Sequence, residues 1–243
     1  MPDIRLTAVT DTSPAAWLRT SLTFGARLAK TRPAHARVLH PATEIATGIQ
    51  VSWAPVAQAP GPDHRDRLDW ILDLAASDDW DAPEQGSLEQ PQLDALIDVL
   101  ARHTTTPDRC YVGVWEGWHW YNRSKSRVGA IDALNPGNLS PDVKRQASFE
   151  LLDRWYLLLR GPIRDASRIG GHVTAQTVIM RSPNLLWPAD RAWFVCTGID
   201  DYETYVSGSR QLIDELTAST PLDVEMINTD HLGGTVNRDP SRS

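Results

Sequence analysis

Cysteine, phenylalanine and lysine are all scarce in this 243-residue chain, and each shortage excludes something. Two cysteines, Cys110 and Cys196, are too few for the disulfide framework of a small secreted scaffold. Both sit in apolar runs, as free thiols buried in a reducing compartment do. Three lysines stand against 21 arginines, yet no segment concentrates these cations into the basic patch that phosphate neutralisation needs. Nucleic acid is therefore not an expected partner. No run of 18 apolar residues occurs, and Met1–Arg5 leads into no apolar leader. No membrane partner is expected, and the expected location is the cytoplasm.

Signatures of catalysis are missing too. There is no G-x-S-x-G elbow, no Walker loop, no H-E-x-x-H and no G-x-G-x-x-G after a strand. The seven histidines never pair at i, i+4 and never accompany a C-x-x-C, so neither metal nor cofactor is expected. The acidic stretch Asp78-Asp79-Trp80-Asp81 lacks the glycine and terminal glutamate of a calcium loop and reads as a solvated turn.

What the chain does have is tryptophan: ten, against three phenylalanines. It also has length enough to bury roughly 70% of its unfolded surface without metal or disulfide staples. The net charge of −7 is uneven, with residues 61–153 alone carrying −8.

Periodicity gives the elements. Residues 14–30 read as an amphipathic helix behind Pro14, with Trp17, Leu18, Leu22, Phe24 and Leu28 as its stripe. Leu68, Ile71, Leu72 and Ala75, and again Leu93, Leu96, Ile97 and Leu100, fall at i, i+3, i+4 and i+7. A last helix runs from a Ser207 or Ser209 cap to residue 217. Strands are expected at 36–40, 49–53, 110–115, 155–159, 192–196 and 222–227, those at 155–159 and 192–196 being apolar on both faces. Residues 122–148 read as a long polar excursion. Helices early and strands late predict an α+β fold, with a mixed or antiparallel sheet packed against about four helices. Residues 1–228 form one domain, divisible into a helical lobe (1–105) and a sheet-rich lobe (106–228), and 229–243 form a frayed tail.

Two clusters hold candidate binding residues. In Trp115-Glu116-Gly117-Trp118-His119-Trp120-Tyr121, strand alternation places Glu116, Trp118 and Trp120 on one face. In Ser182–Trp193, Trp187 precedes Asp190 and Arg191 at the entrance to a strand. Trp17, Trp155 and Trp193 fit core positions, whereas Trp118, Trp120 and Trp187 fall at strand ends beside polar groups.

Several motifs together carry a resemblance: Ala36–Pro41, Ser52–Ala57, His103–Pro107, Cys110–Trp118, Leu159–Pro162, Ser182–Trp193 with its Trp-Pro-Ala-Asp-Arg-Ala-Trp, and Thr204–Ser209. Over roughly residues 36–226 the chain resembles a family of uncharacterised actinobacterial proteins. The resemblance implies a bacterial cytosolic origin and transfers no activity, cofactor or ligand. His119 departs from it, since members often carry glycine there.

Two functions follow as expectations. The first is a non-catalytic binding or interaction protein, of which a toxin-neutralising immunity role is one version. It calls for an exposed aromatic patch with an acidic rim and a basic protein partner. The second is a small-molecule-binding protein or enzyme, with Trp118, Trp120 and Trp187 as pocket walls and Glu116, Asp190 and Arg191 as polar anchors.

Overall fold

The computed structural model describes residues 4–23, 27–51, 78–118, 127–128, 131–172 and 178–228. Its centre is a nine-stranded sheet: β1 (Thr7–Ala8), β2 (Ala34–Leu39), β3 (Cys110–Trp115), β4 (Ser148–Leu151), β5 (Arg154–Gly161), β6 (Leu185–Pro188), β7 (Phe194–Cys196), β8 (Glu203–Gly208) and β9 (Val224–Met226). The order is β1-β5-β3-β6-β7-β8-β2-β9, with β4 sharing the outer edge of β5 with β1, and every pairing is antiparallel.

Side-chain alternation sorts the sheet into two faces. Val112 and Val114 of β3, Leu157 and Leu159 of β5, Val195 of β7 and Val206 of β8 point to one core. That core is roofed by α2 (Gln90–Arg102) and α4 (Arg210–Thr217). Leu93, Leu96, Ile97 and Leu100 form the buried stripe of α2, and Leu212, Ile213 and Leu216 that of α4. Ser209 starts α4 by accepting the Leu212 N–H at 3.1 Å. Tyr156, Leu158, Leu185, Trp187, Phe194 and Cys196 point to the opposite face, where Ala15, Leu18 and Ala29 cover them.

An α+β fold with an antiparallel sheet and four helices among the described residues is therefore established. Some local expectations are corrected. Residues 14–30 do not form one helix. A 3-10 turn (Ser13–Ala15) and one helical turn, α1 (Leu18–Ser21), give way to paired extended segments at Leu22–Thr23 and Leu28–Ala29. The β-branched and glycine-bearing stretch from Thr20 to Gly25 favours leaving the helix, and of the stripe Leu18 and Leu28 are buried while Trp17 and Leu22 pack, partly buried, against the core on that face of the sheet. The strand expected at 36–40 is present as β2, inside the sheet between β8 and β9. The segment expected as a polar excursion carries a two-residue ladder (Arg127–Val128 with Ile131–Asp132), a 3-10 turn at Pro136–Asn138 and α3 (Pro141–Ala147). Of the strand expected at 49–53, Gln50–Val51 pairs with Ala42–Thr43. The helix expected around Leu68–Ala75 and the tail from residue 229 lie outside the described residues. No helix among the described residues is long and apolar enough to cross a membrane.

Candidate functional site

Strand β3 ends in a tight turn. Trp118 N–H reaches back to the Trp115 carbonyl at 3.4 Å, and the Trp115 ring lies where a Cβ on residue 117 would have to sit, so Gly117 is what lets the ring fold over the turn. The two indoles meet edge to face, 5.4 Å between centroids. Asn184, wholly buried, pins this turn to the sheet: its Oδ1 accepts from Trp115 N–H (2.9 Å) and Trp118 Nε1–H (3.2 Å). Its Nδ2 donates to the carbonyls of Thr197 (3.2 Å) and Gly86 (3.4 Å). Arg181 stacks its guanidinium 4.1 Å from the Trp118 ring centroid and pairs with Glu84. Trp118 is thus held by Trp115, Asn184 and Arg181.

Beside this turn is a cleft of about 260 Å³, with Val114, Leu157 and Pro136 as apolar walls and Trp115 and Trp118 as aromatic ones. Glu116 and Lys144 are its charged groups among the described residues. The Ser148 hydroxyl contacts the Glu116 carboxylate and lies 2.6 Å from the Lys144 carbonyl. The Lys144 ammonium donates a long bond of 3.4 Å to the Gly137 carbonyl.

The other candidate cluster is elsewhere. Trp187 pairs across the ladder with Tyr111, four residues or about 13 Å along β3 from Trp115. It is 1% exposed, stacked on Tyr111 at 5.6 Å and edge-on to Trp17 at 6.3 Å, so it is core and not a pocket wall. Asp190 accepts the Thr105 N–H (2.7 Å), the Thr105 hydroxyl (2.8 Å), the Thr104 hydroxyl (2.9 Å) and the Ala192 N–H (3.0 Å). Partial burial works to raise its pKa, but these bonds outweigh it and hold the carboxyl below its ordinary value. Asp190 therefore ties the turn before β7 to the loop after α2. Arg191 adopts φ +53° and lies over Trp17, 5.3 Å from the ring centroid. Of the five candidates among the described residues, only Glu116 and Trp118 line that cleft. Trp120 lies outside the described residues.

A residue expected in the core replaces Trp187 on the surface. Trp155 is 51% exposed. The register sets it between Glu150 of β4 and, through the Glu116 N–H to Trp155 carbonyl bond of 3.0 Å, Glu116 at the end of β3. Residues opposite one another on adjacent strands share a face, so the indole stands between two exposed carboxylates. The hairpin joining β4 to β5 turns through Leu152 (φ +49°) and Asp153 (φ +57°), and Leu152 is 60% exposed. The apolar run 155–159 hid this, because nothing in Leu151-Leu152-Asp153-Arg154 carries the Asn-Gly or Asp-Gly signal of a two-residue hairpin. Lys144 was also missed; its rarity as one of three lysines was the available signal.

The reactive side chains are chemically quiet. Burial pushes the Cys110 and Cys196 thiols up to about 12, so both stay protonated. Burial pushes His40 down to about 3. Its Nδ1–H donates to the Glu84 carbonyl (2.8 Å), and its bare Nε2 accepts from the Thr204 hydroxyl (2.9 Å), which lies 2.8 Å from that of Thr197. Among the described residues no group of three or more His, Cys, Asp or Glu side chains is placed to hold a metal. No protein-family model, curated protein or solved structure matches this chain.

Proposed function

We propose that the chain is a non-catalytic interaction protein that receives a basic segment of a protein partner on the face carrying Trp155. The observation that carries this reading is the exposed indole held in register between Glu150 and Glu116. An aromatic face flanked by two carboxylates suits a guanidinium or ammonium, which gains from the ring quadrupole and from both anions. Covering the exposed half of the indole removes roughly 100 Å² from water, a contribution of about 2–3 kcal/mol. That is the size of an interface hot spot. Leu152 supports the reading. A bulky apolar residue at positive φ, turned to solvent, weakens the fold locally and has its use in contact with something else. The protonated thiols and the neutral, enclosed His40 fit a protein whose work is recognition, and a cytoplasmic setting keeps Cys110 and Cys196 as free thiols.

The test is selection of a displayed random peptide library on the immobilised chain. The expected result is enrichment of peptides rich in Arg and Lys that no longer bind Trp155→Ala or Glu150→Lys. Failure to enrich, or peptides that bind Trp155→Ala as well as the wild type, would sink the proposal.

A further inference from the structure

The cleft beside Trp118 sets Glu116 with a cation, Lys144, that the protein-partner reading does not use. Glu116 and Lys144 line the same space of about 260 Å³, and among the described residues neither belongs to an ion pair. The neighbouring charges of α3 are already matched, Asp142 with Arg145 at 2.8 Å, which leaves Lys144, held by its long bond to the Gly137 carbonyl, as the cation of that helix with no acidic partner among the described residues. A purely cationic ligand in this space would face Lys144, and a purely anionic one would face Glu116; each placement sets like charges together. A ligand with one charge of each sign satisfies both.

We infer that the cleft binds a compact zwitterion of the amino-acid class, its ammonium on Glu116 and its carboxylate on Lys144. An apolar side chain then lies against Val114, Leu157 and the two indoles. The volume falls below the 300–1,000 Å³ of typical drug-sized sites, which matches a single amino acid rather than a peptide or nucleotide. The aromatic walls are preorganised: Arg181, Asn184 and Trp115 hold Trp118 in place, so little ordering remains to oppose binding. This inference shares Glu116 with the Trp155 reading but does not rest on it, since Trp155 and Glu150 are not among the described residues lining the cleft and Lys144 takes no part in the Trp155 face.

The experiment titrates the chain with leucine, isoleucine, valine and methionine, following tryptophan fluorescence and heat. For each, the N-acetyl form lacks the ammonium and the amide lacks the carboxylate. At least one free amino acid is expected to bind saturably, with both blocked forms about tenfold weaker or more, as loss of a charged hydrogen bond implies. Lys144→Met and Lys144→Gln should each erase the preference for the free acid over its amide while the amide still binds. Arg145→Met, which removes a cation from the same helix outside the cleft, should leave that preference intact. Absence of saturable binding up to roughly 10 mM for the whole panel, a range that would capture even millimolar affinity, overturns the inference. So does equal binding of the blocked forms, or a preference that survives both Lys144 variants.

Discussion

Acidification should destabilise this protein through His40. The imidazole is fully buried, and both ring nitrogens have hydrogen-bond partners that satisfy the neutral ring. Burial holds its pKa at about 3 in the folded chain, against 6.5 in the unfolded one. A proton therefore binds the unfolded state first. The stabilisation is complete above pH 6.5 and is lost as pH falls from there toward 3, at about 1.4 kcal/mol per unit. Between pH 7.5 and pH 5 the loss attributable to His40 is about 2 kcal/mol, or roughly 4–8 °C in Tm for a chain of this size. Thermal unfolding of the wild type and of His40→Gln, followed by far-ultraviolet circular dichroism at both pH values, isolates the effect. The glutamine amide can donate and accept at this position without titrating. The difference between the two pH values should shrink by about 2 kcal/mol in the variant. If both proteins lose the same stability between pH 7.5 and pH 5, the buried neutral histidine is not the group responsible.

Other substitutions separate core from surface. Trp187→Ala removes a side chain 1% exposed and should cost about 3–5 kcal/mol in urea unfolding; a loss below about 1 kcal/mol would contradict its placement. Asn184→Ala strands the Trp115 N–H and Trp118 Nε1–H, and should cost about 2–4 kcal/mol while weakening the near-ultraviolet circular dichroism of the tryptophans. An unchanged near-ultraviolet spectrum would show that Asn184 does not hold Trp118. Leu152→Gly relieves a positive φ and should stabilise by up to about 1 kcal/mol, whereas destabilisation would mean that Leu152 packs in the free protein.

The fold was legible where local pattern and tertiary environment agree. Leu93–Leu100 has one apolar stripe and one core to face, and Ser209 is a cap wherever α4 packs. Cys110–Trp115 is apolar because helices cover one side of β3 and the N-terminal segment the other. Pattern failed where apolar residues could be buried in more than one way. The stripe from Trp17 to Leu28 serves a helix or an extended segment laid on a sheet, and only the sheet decides between them. The tryptophans show the same limit. Trp187 follows Asn184-Leu185-Leu186 and looks like a strand end, yet Trp17, Tyr111 and Phe194 close over it. Trp155 opens an apolar run and looks like core, yet it lies one alternation beyond the buried Leu157, at the end of β5, and is left half exposed. Glu116 and Trp118 were legible as a site because the turn that joins them is local. Glu150 and Trp155 join them only through strand register, and Lys144 only through the packing of α3 against β5.

Trp155 is the residue on which the recognition reading rests. The measurement that bears on it most directly is the calorimetric affinity of a selected basic peptide for the wild type and for Trp155→Ala, at matched ionic strength. A loss of about tenfold or more, with the fold of the variant unchanged, is the predicted result. An unchanged affinity would contradict it, leaving only diffuse attraction to an acidic surface.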